Sequence, residues 1–166
     1  MKSLLIIRHA KSSWDQSILN DFERPLNERG KRDAPEMAKR LVSKNINIDL
    51  FIASPAKRAK KTAELFIREF SRNENEILLI PGLYHAPVQT FVEVISGVED
   101  SYSSIAVFSH NPGITAFVNT LTPVQIDNMP TCGIFGVTIN AEHWSGFLSA
   151  KKEFLFFDFP KSGMHH

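Results

Sequence analysis

The side chains of this sequence that could do chemistry together directly follow short apolar runs. Three runs have such residues at their ends: 3–7 is followed by Arg8 and His9, 49–53 by Ser54 and then Arg58, and 105–109 by His110. A guanidinium group matches the geometry of phosphate oxygens with paired donors and keeps its charge at any working pH. An imidazole can act as a nucleophile. Two arginines and two histidines therefore indicate a pocket for a phosphoryl group.

The elements that would position these residues are buried parallel strands. The three runs show no alternation of apolar and polar residues, which is typical of strands covered on both faces by helices. Further strands are predicted, and the working count is six, with the others at 77–80, Ile134–Ile139 and 153–157. In such a sheet, ligands bind at the carboxyl ends of the strands. The four side chains are therefore expected to converge there.

Helical segments alternate with these strands. They are predicted at Glu28–Ser43, at 54–70, near 88–95 and at about 112–121. The first has Asn27 as its N-cap and an apolar stripe at helical spacing, which includes Leu41 and Val42. Ser54, with proline after it, is predicted to cap the second. The fold class is α/β: a single three-layer domain with a mostly parallel central sheet and helices on both faces.

Composition limits the class of protein. The chain has 166 residues and a formal net charge of +1, so one domain is expected over 1–160, and the balanced charge argues against a nucleic-acid partner. Its apolar runs are too short to span a membrane, and no secretory signal is recognised. The single Cys132 fits a reducing, cytoplasmic location. Residues 161–166 are interpreted as a tail, whose two histidines are consistent with the remnant of a purification tag.

Other routes of phosphate chemistry find no support in the sequence. A Walker-type glycine loop is not found, and Thr138 stands where a phosphatase using Cys132 would carry its arginine. The carboxylates near the predicted pocket are few and lack metal-ligand spacing, so no metal site is expected. A histidine nucleophile remains.

Four motifs occur together in one order. They are Arg8-His9-Ala10, the stretch 24–30 (RPLNERG), Ser54-Pro55 followed by Arg58-Ala59 and Thr62-Ala63, and Ser109-His110-Asn111-Pro112-Gly113. In this combination the sequence resembles the histidine phosphatase superfamily, and most closely its short SixA-like phosphohistidine phosphatase branch. The resemblance covers about residues 3–157. It implies a phosphoglycerate mutase-like fold and a phosphatase that needs no metal and no cofactor.

The resemblance also implies roles for single residues. His9 would be the nucleophile, Arg8 and Arg58 the phosphate clamp, and His110 the second histidine that stabilises the transferring group. The segment 11–24 would lie near the mouth of the pocket, where Arg24 is a candidate for substrate binding. Asn111 and His85 are further candidates for contact with the substrate.

The loop after the third strand departs from larger members of the superfamily. Those that act on phosphate esters carry a carboxylic acid there, whereas this sequence has 83–86 (LYHA), with His85 at the position of interest. The imidazole of a phosphoramidate such as phosphohistidine departs more readily than an alkoxide, so a strong acid is dispensable for such a substrate. The departure favours phosphohistidine in a protein, for example a phosphorelay domain, over phosphoserine.

Simpler interpretations stay open beside these. Arg24 could pair with Asp21 or Glu23 in a loop, and His85 could be a loop residue next to the pocket. Two other functions remain in competition: a phosphatase for small phosphate esters, and a module that binds a phosphorylated partner without turning it over.

Overall fold

A mixed six-stranded sheet forms the centre of the protein. The computed structural model describes residues 1–14 and 20–161. The strands are β1 (Lys2–Arg8), β2 (Leu50–Ala53), β3 (Leu78–Leu79), β4 (Ser104–Ser109), β5 (Ile134–Ile139) and β6 (Lys152–Asp158), in the spatial order β3-β2-β4-β1-β5-β6. The first four strands of this order run parallel, and β5 and β6 continue the sheet antiparallel. The predicted fold class and the six strands are confirmed.

Four helices cover the two faces of the sheet. They are α1 (Glu28–Ser43), α2 (Lys57–Glu69), α3 (Val88–Ser96) and α4 (Gly113–Val118). One apolar cluster joins α1 and α2 to the sheet, and a second joins α3 and α4 to its other face. Large side chains fill both layers, with Phe66 and Phe108 on one side and Phe91 and Phe117 on the other, all fully buried. Their burial holds the sheet in place from both directions.

Helix α1 has the predicted bounds. The side chain of Asn27 accepts a hydrogen bond from the amide of Gly30 at 2.9 Å, as expected of an N-cap. Pro35 lies inside the helix and does not end it. Val42 was predicted in the buried stripe, but 42% of its surface is exposed. It follows the buried Leu41 in the helix, so its side chain points about 100° away from that of Leu41.

Two predicted helix ends are wrong. Helix α2 begins at Lys57 with Ala56 as its N-cap, so Ser54 does not cap it; its hydroxyl faces His110 instead. Helix α4 ends at Val118 rather than near 121. The side chain of Asn119 binds both backbone groups of Ile126, with N···O distances of 2.9 Å, and this draws the chain out of the helix.

The sheet register brings the predicted site residues together. Arg8 in β1 is opposite Ser109 in β4, so His9 and His110 follow at neighbouring strand ends. Ala53 in β2 is opposite Phe108, which places Ser54 at the same edge. The carboxyl ends of three adjacent strands therefore meet, as predicted.

Two predictions concern residues that are partly outside the described ranges. The loop 11–24 includes 15–19, and the tail 161–166 includes 162–166; these ten residues lie outside the described part of the chain. In the described part, no helix is long and apolar enough to cross a membrane.

Candidate functional site

His9 is held at the end of β1 with one ring nitrogen engaged. Its Nδ1 lies 2.7 Å from the carbonyl oxygen of Ala10. A carbonyl oxygen only accepts hydrogen bonds, so Nδ1 carries the proton in the neutral ring and Nε2 keeps its lone pair. The Ala10 amide is fixed in turn by the hydroxyl of Thr62 at 2.9 Å. Nε2 is therefore the ring nitrogen of His9 that has a free lone pair.

The surroundings of His9 keep its ring neutral. Burial is the main cause that lowers the pKa of His9 to about 3, and the charges of Arg8, Arg58 and Arg24 lower it further, against the hydrogen bond to Ala10. A neutral imidazole is the nucleophilic form. The positive charge around it therefore serves two purposes, because it also attracts an anion.

His110 lies next to His9, with ring centroids 5.2 Å apart. Its Nε2 is 2.7 Å from Oγ of Ser54, which also accepts a hydrogen bond from the amide of Ala56 at 3.2 Å. The Ser54 hydroxyl can therefore donate to Nε2, which leaves the proton of the neutral ring on Nδ1. Burial, followed by the proximity of His9, lowers the pKa of His110 to about 2.

Arg8 at the end of β1 and Arg58 in the first turn of α2 face the same cavity. Arg8 donates from Nη1 to the carbonyl of Met129 at 2.9 Å. Arg58 donates to Asp21, from Nη1 to the backbone oxygen at 2.7 Å and from Nη2 to Oδ2 at 2.9 Å. Burial and the neighbouring Arg58 lower the pKa of Arg8, although arginine stays charged.

Three buried atoms of these residues have no hydrogen-bond partner within the described ranges: Nε of Arg8, Nε of Arg58 and Nδ1 of His110. Buried polar atoms are normally paired, and an unpaired one is costly. All three residues line one cavity together with His9. We call His9, Arg8, Arg58 and His110 the inner wall of this cavity. Its unpaired atoms are suited to an oxyanion that would bind beside Nε2 of His9.

Asp21 connects the inner wall to the cavity mouth. Its Oδ1 accepts from Nη1 of Arg24 at 2.8 Å, and its Oδ2 accepts from Arg58 and from the hydroxyl of Tyr84 at 2.6 Å. Burial opposes ionisation, but the hydrogen bonds from Tyr84, Arg58 and Arg24 together outweigh it and lower the pKa of Asp21. Asp21 is therefore a carboxylate.

Arg24 closes the mouth with its guanidinium group fully engaged. Its Nε donates to the carbonyl of Ser13 at 3.0 Å, and its Nη2 donates to Oγ of Ser12. The guanidinium carbon lies 3.4 Å from the ring centroid of Trp14. We call Ser12, Trp14, Asp21 and Arg24 the rim. Arg24 pairs with Asp21 and also lines the cavity. The loop pairing and the position for substrate binding, which the sequence offered as alternatives, therefore occur together.

The cavity has a volume of about 370 Å³. It brings together all seven residues predicted from the sequence: Arg8, His9, Arg24, Arg58, His85, His110 and Asn111. It is also lined by Lys11, Ser12, Trp14, Asp21 and Thr131. The sequence named Asp21 only as a possible partner of Arg24. Lys11, Ser12 and Trp14 belong to the segment 11–24 that was expected near the mouth. For Thr131 the sequence holds no comparable signal.

Asn111 lines the cavity, but its amide is committed elsewhere. Nδ2 donates to Oδ1 of Asn128 and to the carbonyl of Met129, both at 3.0 Å, and Oδ1 accepts from Thr115 at 2.6 Å. Arg8 donates to the same Met129 carbonyl. Asn111 thus positions the segment that holds Arg8, and direct binding of substrate by its amide is not what this geometry favours.

His85 lies at the cavity on a tight turn. Its φ is 60°, in the left-handed region, and its ring lies 4.0 Å from that of Tyr84. The turn brings its side chain into the lining of the cavity beside His110. His85 is therefore placed where a substrate could meet it.

No group of three or more His, Cys, Asp or Glu with metal-binding geometry is found among residues 1–14 and 20–161. Cys132 is a free and buried thiol, and burial raises its pKa. It plays no part in the lining of the cavity.

Comparison with known families gives a match over the N-terminal half. Residues 4–83 match the model of the histidine phosphatase superfamily (branch 1), which confirms the resemblance recognised in the sequence. The matched range contains His9, Arg24 and Arg58. His110 lies outside it and is brought to the site by the sheet register.

Among curated proteins, the "uncharacterized protein At3g52155, chloroplastic" of Arabidopsis thaliana is 29% identical over 79% of this chain and 63% of its own length. The 2,3-bisphosphoglycerate-dependent phosphoglycerate mutase of Bartonella henselae is 27% identical over 49% of this chain and 41% of its own length. The chain thus spans less than two thirds of the length of either relative.

Solved structures share the fold. The protein histidine phosphatase SixA in complex with tungstate has a TM-score of 0.81 and 24% identity, over 96% of this chain and 98% of that one. A phosphoserine phosphatase from Entamoeba histolytica in complex with 3-phosphoglyceric acid has a TM-score of 0.67 and 17% identity, over 95% and 97%. At these identities the likeness shows the fold alone.

Proposed function

We propose, from the membership of residues 4–83 in the histidine phosphatase superfamily, that this protein is a phosphatase that works through a phosphohistidine on His9. The observation that carries the proposal is the hydrogen bond of Nδ1 to Ala10, which leaves Nε2 unprotonated among three unpaired buried atoms. This is the arrangement that an in-line attack on phosphorus requires.

The reaction takes place in two steps. In the first, the lone pair of Nε2 forms a bond to phosphorus while the bond to the leaving group breaks, and the leaving group takes up a proton. Arg8, Arg58 and His110 stabilise the negative charge on the equatorial oxygens. In the second, water attacks phosphorus, the P–Nε2 bond breaks, and phosphate and a proton are released. No step requires a metal ion, and the proposed enzyme is metal-independent.

We further propose that the substrate is phosphohistidine in a protein, for example in a phosphorelay domain, in a cytoplasmic compartment. Among the described residues that line the cavity, Asp21 supplies the one carboxyl group. It is ionised and accepts three side-chain hydrogen bonds, so it cannot protonate an alkoxide. The imidazole of phosphohistidine is a better leaving group and does not need a strong acid.

The test compares phosphate release from a phosphohistidine-bearing protein and from a phosphoserine peptide, each with excess chelator. Wild type, His9→Ala and His143→Ala are used; His143 is an exposed histidine outside the cavity. We expect release from phosphohistidine only, abolished by His9→Ala and unchanged by His143→Ala. Activity that is lost with the chelator would contradict metal independence. Release from neither substrate would favour a module that binds a phosphorylated partner without catalysis.

A phosphatase for small phosphate esters is the second candidate. The observation in its favour is the position of His85 at the cavity beside His110, where a protonated imidazole could serve as the acid for an alkoxide. Release from phosphoserine that is as fast as from phosphohistidine, and that is lost in His85→Ala, would establish this function.

A further inference from the structure

A second cavity of about 450 Å³ lies beside the catalytic one and is markedly basic. We call it the basic groove and define it by the four lysines in its lining: Lys31, Lys57, Lys60 and Lys61. Glu64 is the one carboxylate among the described residues that line it. Because the whole chain has a net charge of only +1, this concentration of charge is local.

The groove and the catalytic cavity are lined by consecutive residues at two places in the chain. Arg24 lines the catalytic cavity and Pro25 the groove, and Arg58 lines the cavity and Lys57 the groove. A molecule whose phosphoryl group is bound by Arg58 therefore has the groove directly beside it. The groove is therefore placed to contact the part of a substrate that lies next to the phosphoryl group.

The lysines of the groove are largely available. Lys57 and Lys60 are exposed, and neither forms an ion pair with a carboxylate in the described part of the chain. Lys31 has a contact with Glu28 at 3.5 Å between two exposed side chains, and Lys61 has one with Glu64 at 3.9 Å. Exposed pairs of this kind are weak and are easily exchanged for another anion.

The three groove lysines that lie on α2 are unfavourable for this helix. Helix α2 has no acidic residue in its first turn, where Lys57 and Arg58 lie, and Lys60 and Lys61 follow at once. Positive side chains near a helix N-terminus oppose the helix dipole, and like charges close together repel. The cluster thus reduces the stability of the free protein, and an anion bound in the groove would relieve this cost.

We propose that the basic groove binds acidic side chains that flank the phosphohistidine in the protein substrate. This inference rests on the proposed function and specifies its substrate: a phosphorylated protein with a negatively charged surface next to the phosphorylated residue. Charge complementarity of this kind raises the rate of association and the specificity more than the rate of the chemical step.

The experiment uses two chemically phosphorylated peptides of equal length and free phosphohistidine. One peptide has glutamates beside the phosphohistidine, and the other has glutamines. The enzymes are wild type, Lys57→Ala/Lys60→Ala, and Lys39→Ala/Lys151→Ala as the matched control, since Lys39 and Lys151 are exposed and do not line the groove. Steady-state kcat and KM are measured at low and high salt.

We expect wild type to prefer the acidic peptide about tenfold in kcat/KM, through KM. The preference should be lost at high salt and in Lys57→Ala/Lys60→Ala, and kept in the control variant. All variants should turn over free phosphohistidine equally, and the melting temperature of Lys57→Ala/Lys60→Ala should equal or exceed that of wild type.

Other results would overturn the inference in distinguishable ways. Equal rates on the two peptides, with free phosphohistidine turned over, would reject the groove as a docking site and leave the proposed function intact. A small ester with two phosphate groups is tested as well. If wild type shows no peptide preference and Lys57→Ala/Lys60→Ala no longer turns over this ester, the groove binds the second phosphate group of a small substrate. Failure to release phosphate from both peptides and from free phosphohistidine would reject the proposed function itself.

Discussion

The inner wall and the rim of the cavity differ in how their hydrogen bonds are used. Arg8, Arg58 and His110 in the inner wall each keep one buried nitrogen without a partner in the described part of the chain. In the rim, Arg24 uses all three guanidinium nitrogens, on Ser13, Asp21 and Ser12. Both regions contain arginine and both line the same cavity, but among the described residues of the two regions the buried nitrogens without a partner belong to the inner wall.

This difference separates binding of the phosphoryl group from organisation of the site. An unpaired buried donor costs free energy in the empty site, and that cost is removed when an oxyanion binds. The guanidinium group of Arg24, whose three nitrogens are each bonded already, gains less from the ligand. We therefore expect the inner wall to determine kcat, and the rim to act mainly on KM and on stability.

The largest effect is expected when an arginine of the inner wall is changed to lysine, and the same change in the rim is its comparison. Arg8→Lys removes the unpaired Nε donor and should lower kcat by about 10² to 10³-fold, or about 3 to 4 kcal/mol. Arg24→Lys should lower kcat/KM by only about tenfold, mostly through KM. Steady-state kinetics with phosphohistidine measures both. Equal losses of kcat would remove the distinction between inner wall and rim.

Acid should destabilise the folded protein through the two histidines of the inner wall. The pKa values of His9 and His110 are lowered to about 3 and about 2, so between these values and about 6.5 the unfolded chain binds more protons than the folded one. Stability is therefore complete above about pH 6.5 and falls by about 1.4 kcal/mol per pH unit for each histidine as the pH decreases.

Denaturant unfolding from pH 7.5 to 4.5 measures this slope. His110→Gln should have a shallower slope than wild type, because one shifted histidine is absent. His143→Gln, which changes an exposed histidine, is the control and should leave the slope unchanged. A wild-type stability that is flat over this range would mean that the two rings are not held neutral by the fold.

A smaller effect is expected from the hydroxyl that orients His110. Ser54→Ala removes the contact to Nε2 at 2.7 Å and should lower kcat by about tenfold, because Nδ1 is then no longer the fixed donor. Ser109→Ala is the matched control: it is also buried, but its hydroxyl donates to the carbonyl of Leu83. If both variants lose stability equally and only Ser54→Ala loses kcat, the role of Ser54 is to position His110.

The smallest effect should come from Asp21, which belongs to the rim. Asp21→Asn keeps the shape but removes the charge, and should cost about 1 kcal/mol of stability, since 40% of the side chain is exposed and the contacts are partly screened. Glu23→Gln, on the same turn, should cost nothing measurable. Thermal unfolding measures this cost. A loss of kcat in Asp21→Asn as large as that in Arg8→Lys would instead place Asp21 in the inner wall.

The motifs led to the inner wall because each is local in sequence and stands at a strand end. Apolar runs identified β1, β2 and β4, and the polar residue after each run was therefore a candidate before any distance was known. The rim was harder to predict, since Asp21 reaches Tyr84 and Arg58, which are 63 and 37 residues away in sequence. Ser54 was identified, but as a helix cap, because its contact to His110 joins residues 56 positions apart in the sequence.

The sequence by itself determined the α/β class, the six strands and the four residues of the inner wall, because hydrophobic periodicity and the order of motifs are encoded locally. Only the tertiary structure decided which nitrogens are left unpaired and that a basic groove adjoins the cavity. These properties depend on contacts between residues far apart in the chain, and such contacts exist only once the sheet has brought the strand ends together.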